Sequence, residues 1–182
     1  MDSQNHVIVS SEVIYKFGFK QIILHICKPL TEGNVFFCFT RKNFKSPDEE
    51  KSSKPLYEYN FFWPREVARK MLEELPGAID YVKTLPKECS NNTTEGWYSE
   101  VSKWLIASYG NKECYLRIKQ SNVFGDYYIC LYRRNLNVHP VVESDFQLTI
   151  PAARALLSRL PVALNAADDE QCLATEPKTI PL

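Results

Sequence analysis

The chain has 182 residues, 45% hydrophobic and 24% charged, a globular composition with room for one ordinary domain or two small ones. Collagen, long disordered chains and membrane bundles are excluded. Lys and Arg total 22, as do Asp and Glu, so no net positive field announces a nucleic-acid or membrane partner, and any basic surface must be local.

The polar start MDSQNHVIVSS has no basic segment followed by an apolar one, and no apolar run approaches the roughly 18 residues of a membrane span. This predicts an intracellular chain with no membrane partner. Cysteines 27, 38, 89, 114, 130 and 172 form no CxxC pair, and His6, His25 and His139 are isolated. No metal and no cofactor is expected. Cys27, Cys38, Cys114 and Cys130 fall inside alternating apolar runs, where a reduced cysteine acts as a small hydrophobe.

In chain order, Lys20 to Lys28 alternates with the period of a strand, placing Ile22, Leu24 and Ile26 on one side. Val35 to Phe39 is an aromatic and β-branched strand, Lys45 to Lys54 (KSPDEEKSSK) an exposed hairpin loop, and Tyr57 to Phe62 a further strand. Pro64 then suits the first turn of a helix whose apolar positions are Val67, Met71, Leu75 and Ile79. After the polar, turn-rich stretch Leu85 to Glu95 the series returns. Glu113 to Lys119 buries Cys114, Leu116 and Ile118, Tyr127 to Tyr132 and Phe146 to Ile150 are strands, and Pro151 opens a helix with Ala155, Leu156, Leu160 and Leu164.

The chain therefore repeats itself. Glu12-Val13 matches Glu100-Val101 at an offset of 88, Gly33 matches Gly125 at 92 and Pro64 matches Pro151 at 87; offsets that nearly agree signal a duplicated unit with small loop insertions. The expectation is an α+β protein of two tandem β-β-β-β-α repeats, 10–83 and 97–166, with a linker over 84–96 and a disordered acidic tail over 167–182. Each repeat is small enough to bury little surface by itself. The two are expected to pack together with quasi-two-fold symmetry.

The stretches GNVFFCFTRKNFKSPDEEKSSKP and NFFWPREVARKMLEELPGAIDYV resemble the DNA-binding domain of the positive cofactor four family of transcriptional coactivators: a glycine turn, an apolar strand with a basic-aromatic end, and a strand running through proline into a terminal helix. That resemblance implies a single-stranded DNA-binding fold built from paired, curved antiparallel sheets. With both units on one chain it implies an intramolecular pseudo-dimer, an arrangement similar to that of the purine-rich-element-binding (PUR) proteins, with further dimerisation open. The family's basic strand end falls at Thr40 or Arg41 and at Tyr132 or Arg133, and its following aromatic near Phe44. Its Lys-rich glycine turn is replaced by Thr31-Glu32-Gly33-Asn34 and Phe124-Gly125-Asp126.

Single strands are held by cations along the backbone and by rings on which bases stack, each ring worth ~1–3 kcal/mol. In the second repeat Tyr115, Arg117 and Lys119 alternate opposite the buried Cys114, Leu116 and Ile118, and Tyr128, Cys130, Tyr132 and Arg134 share a side of the next strand. Arg133 and Phe124 complete that set. In the first repeat the candidates are Lys20, Lys28, Arg41, Lys42, Phe44 and Lys45, and the second set is expected to dominate. Trp63, Trp97 and Trp104 precede or enter regular elements and are expected as core or staple residues, not as stacking platforms. No GxSxG, phosphate loop, HExxH or Cys/His nucleophile pairing is present, so an enzyme is not expected. The function expected is non-enzymatic binding of single-stranded DNA or RNA in transcription or another nuclear process, with a nuclear protein partner. The alternative is an interaction adaptor that kept the fold and lost the ligand, which the neutral total charge would suit.

Overall fold

The structure is a computed structural model describing residues 5–31, 33–51, 54–86 and 96–175. Its elements are β1 (His6–Phe17), β2 (Lys20–Pro29), β3 (Phe36–Asn43), α1 (Pro47–Lys51), β4 (Tyr57–Pro64), α2 (Arg65–Thr84), β5 (Tyr98–Tyr109), β6 (Lys112–Ser121), β7 (Tyr127–Asn135), β8 (Val142–Thr149) and α3 (Ile150–Thr175). Strands β1 to β4 form one antiparallel sheet in sequence order and β5 to β8 another, each sheet followed by a helix. The fold class is α+β, as the alternation of periods predicts.

The duplication is sharper in the structure than in the sequence. The first strand of each sheet carries two bulges, after Ile8 and Val13 in β1 and after Glu100 and Leu105 in β5, both pairs 92 residues apart. Gly18 and Gly110, at the same separation, turn both first hairpins with positive φ, 55° and 52°. Glycine, without a Cβ, adopts that left-handed conformation at no steric cost. Past the shorter second loop the offset becomes 85: Pro76 and Pro161 both lie inside their helices. The first strands thus align four residues away from the Glu12/Glu100 match suggested by the sequence, which rests on a three-residue Ser-Glu-Val identity and not on strand pairing. The curvature implied by the resemblance holds only in part, since neither sheet is strongly curled, and the first strand of each pairs over most of its length with breaks at the bulges.

The chain divides into two units, Met1–Ala68 with Arg159–Leu182, and Arg69–Ser158. In the first, the rings of Phe37, Phe39, Phe61 and Trp63 are fully buried, with Trp63 edge-on to Phe39 at 6.3 Å between centroids. Strand β2 is buried on both faces from Ile22 to Cys27. The end of α3 is tied to this sheet: the Val35 N–H donates to Gln171 Oε1 at 2.7 Å, Arg65 pairs with Asp168 at 3.2 Å and Arg159 with Glu12 at 3.2 Å. The acidic stretch from 167, expected to be disordered, is therefore helical as far as Thr175, with Ala167 fully buried; two of its carboxylates, Asp168 and Glu170, have cationic partners in Arg65 and Lys28. Residues 176–182 of that tail, and 87–95 of the expected linker, lie outside the described residues.

In the second unit the buried face of the sheet is Cys114, Leu116, Ile118, Ile129, Leu131, Phe146 and Leu148, with Met71, Leu75 and Ile79 of α2 buried in the same unit. Pro151 is the second residue of α3 and Pro64 the last of β4, so both prolines lie where a missing N–H costs no helical bond. Among the described residues no helix is long and apolar enough to cross a membrane.

Candidate nucleic-acid interface

Alternate residues of a strand share a face, and register then carries that face across the sheet. Tyr115, Arg117 and Lys119 of β6 stand opposite Tyr132, Cys130 and Tyr128 of β7, while Tyr132 and Arg134 stand opposite Asp145 and Glu143 of β8. On the other side Arg117 faces Lys103 and Lys119 faces Glu100 of β5. The structure thus brings together Tyr115, Arg117, Lys119, Tyr128, Tyr132 and Arg134 on one face, as the alternation predicts. It adds Lys103, which the sequence reading missed. The bulge between Glu100 and Ser102 shifts parity, so residues three apart share a side where strict alternation would separate them.

Most of the cations on this face have carboxylate partners. Arg117 pairs with Glu100 at 2.5 Å, Lys119 with Asp145, and Arg134 with Glu143 at 3.8 Å. The Tyr115 hydroxyl donates to Glu113 at 2.7 Å, which raises its pKa, burial adding to the effect. Tyr132 is only 3% exposed, and the Arg117 guanidinium lies 4.1 Å from its ring centroid. Burial first, then hydrogen bonding to Glu143, raises the pKa of the Tyr132 phenol. Tyr132 therefore stacks with an arginine of its own sheet. Lys103 differs: it is exposed, its ammonium lies 5.1 Å from the Tyr115 centroid and 5.7 Å from that of Tyr132, and no carboxylate among the described residues pairs with it.

The remaining candidates scatter. Arg133 alternates with Tyr132 onto the opposite face and hydrogen-bonds Tyr109. Phe124 is 73% exposed in the β6–β7 turn. In the first unit Lys28 lies 4.0 Å from Glu170 and Lys42 pairs with Glu58 at 3.4 Å, while Arg41 is half-buried on the face opposite Lys42. Phe44, the expected stacking ring, is buried, its N–H bonded to the Phe19 carbonyl at 2.8 Å; the strand end folds back onto the first hairpin and takes the ring inward. Lys20 and Lys45 are exposed at that same end, beside Phe17 at 71% and Phe19 at 44% exposure. Trp63 is buried as expected, whereas Trp97, directly before β5, is 75% exposed and not in the core.

The equivalent face of the first sheet shows what duplication has changed. His25 stands where the second sheet has Arg117, Thr40 where it has Tyr132, and Cys27 where it has Lys119. The framework persists: His6 and Phe36 meet edge-on at 5.4 Å as Tyr98 and Tyr128 do at 5.6 Å, and Lys42–Glu58 repeats Arg134–Glu143. The chemistry does not. Ser11 Oγ bonds His25 Nδ1 at 2.6 Å, Thr40 donates to Asn60 at 2.6 Å, and Cys27, Cys38, Thr40 and His25 are all buried. Burial, then the Lys42 charge, hold the His25 imidazole below its ordinary pKa.

No family model matches the chain, and no curated protein matches it. Among solved structures it is similar to WHY1 from Arabidopsis thaliana, at 11% identity and a TM-score of 0.31 over 100% of both chains. It is also similar to the plant transcriptional regulator PBF-2, at 9% identity and a TM-score of 0.32 over 96% of this chain and 91% of that one. Overlap at this level assigns neither family nor activity.

Proposed function

We propose that the protein binds single-stranded nucleic acid without catalysing a reaction, through the Lys103, Tyr115, Arg117, Tyr128 and Arg134 face of the second sheet. One observation carries this. At matched positions of a duplicated sheet, the first repeat has a buried, nearly uncharged face, and the second has rings interleaved with cations, the combination that holds bases and phosphates. The carboxylates beside Arg117, Lys119 and Arg134 temper the field, so stacking supplies most of the affinity and phosphate contacts are few. Lys20 and Lys45 with Phe17 and Phe19 are a lesser patch of the same character. A pseudo-dimer within one chain and a transcriptional, nuclear role are the parts of this proposal that the coactivator resemblance implies.

Titration of a labelled, unstructured oligonucleotide into the full chain at several salt concentrations tests it. Binding should weaken with salt at a shallow slope of about −0.7 for each phosphate neutralised, and Lys103→Ala should reduce that slope. Absence of binding to both DNA and RNA strands at low salt would sink the proposal.

A further inference from the structure

We infer that the end of the second sheet marked by Trp97 and Phe124 is a stacking station for an unpaired base of the strand lying on the Lys103–Tyr115–Arg117 face. This inference rests on the nucleic-acid proposal above and extends it to a place where the described chain offers rings and no cation. Trp97 is 75% exposed, Phe124 73% and its chain neighbour Val123 44%, and the bond from Asn122 N–H to the Trp97 carbonyl brings the two segments together. Apolar side chains grouped in solvent mark a contact surface.

The backbone beneath both rings is tied down by hydrogen bonds. Asn122 and Ser121 are only 3% and 4% exposed, and their polar atoms are spent on the turn itself. Asn122 N–H donates to the Trp97 carbonyl at 3.1 Å and its Nδ2 to the Gly96 carbonyl at 2.8 Å, while its Oδ1 accepts from Ser99 Oγ at 2.7 Å. Ser121 Oγ accepts from the Phe124 N–H at 3.1 Å, and the Ser121 carbonyl from the Gly125 N–H at 2.9 Å. Gly96 and Gly125, each next to one of the rings, have φ of 90° and 71°. Rings on such a frame lose little backbone freedom when a ligand arrives.

The choice of a base as the occupant follows from charge and continuity. Residues 96–99 and 120–128 contain no Lys or Arg, and their one ionisable acid is Asp126, so a phosphate gains nothing here while the π face of a base does. Tyr98 follows Trp97 directly, and its ring meets that of Tyr128 at 5.6 Å. Tyr128 in turn lies four residues of strand from Tyr132, about 13 Å, which extends the ring track from Tyr115 and Tyr132 to the tip. The first repeat keeps one backbone bond of this frame without the rings: Leu30 N–H donates to the Asn5 carbonyl at 3.0 Å, the counterpart of the Asn122 to Trp97 bond, with Asn5 where the second repeat has Trp97 and Leu30 where it has Asn122.

The test uses the full chain with Trp97→Ala, Phe124→Ala, the double variant, Trp97→Phe and, for reference, Lys103→Ala. The double variant should bind a labelled 12-nucleotide single strand at least tenfold more weakly with an unchanged salt slope, since stacking releases no counterions. Trp97→Phe should keep most of the affinity while abolishing the quenching of tryptophan emission on binding. Wild-type affinity in the double variant, together with a reduced slope in Lys103→Ala, would overturn the stacking station and leave the face proposal standing; the tip would then be a protein contact. If the wild-type chain binds no single strand, both fail together.

Discussion

The Arg117 guanidinium covers the Tyr132 ring at 4.1 Å and pairs with Glu100 at 2.5 Å, so each of these residues is already engaged before any ligand arrives. A strand that bound through Arg117 would have to compete with a carboxylate. Removing that carboxylate should help. Glu100→Gln is expected to raise affinity for single strands a few-fold and to steepen the salt slope by up to one phosphate contact, measured by anisotropy at graded salt. An unchanged or weaker affinity would show that Arg117 is a structural residue only.

Lys103 and Tyr115 should fail differently. Lys103→Ala should flatten the salt dependence, whereas Tyr115→Ala should cost ~1–3 kcal/mol of binding with the slope intact. Equal slopes for all three proteins would contradict this division of roles.

The first unit should weaken in mild acid. His25 is held below its ordinary pKa by burial first and then by Lys42 and His6, with Glu58 opposing. The unfolded chain therefore binds the proton more tightly than the folded one. Stability is full above about pH 6.5, the ordinary imidazole value, and declines as the pH falls below it until the folded group titrates too. Urea melts at pH 7.5 and 5.5 should show the loss, and His25→Asn should reduce it.

Thiol reactivity should separate by burial. Cys27, Cys38, Cys114 and Cys130 are buried and Cys172 is exposed, and none of these five is in a disulfide. Burial pushes the Cys114 thiol up to about 12, which leaves almost no thiolate at neutral pH. Alkylation of the native protein followed by peptide mass mapping should modify Cys172 well before those four; early modification of Cys114 would contradict the packing described.

The end of α3 should be needed for the first sheet. Gln171→Ala leaves the Val35 N–H without its 2.7 Å acceptor and should cost ~1–3 kcal/mol, while Gln171→Glu, which still offers an acceptor, should cost less. A chain ending at Ser158 should lose the first unit's cooperative unfolding, read by circular dichroism, because Arg159–Leu182 belongs to that unit.

Much of this protein was legible in its sequence. The duplication follows from repeated offsets, the prolines where each last strand meets its helix from their fixed φ, and the strands of Lys20 to Lys28 and Glu113 to Lys119 with the shared face of Tyr115, Arg117 and Lys119 from local periodicity, all of which a chain carries wherever it folds. What the tertiary structure decided depends on pairings between distant residues. A bulge turned Lys103 onto the candidate face; register set Glu100, Glu143 and Asp145 against the predicted cations; the first hairpin drew Phe44 inward; and Asp168 and Gln171, which composition alone would leave in solvent, found partners at Arg65 and Val35. Period and propensity report which side of a strand a residue takes, but its charge state, its exposure and its partner are fixed by whichever strand or helix arrives beside it.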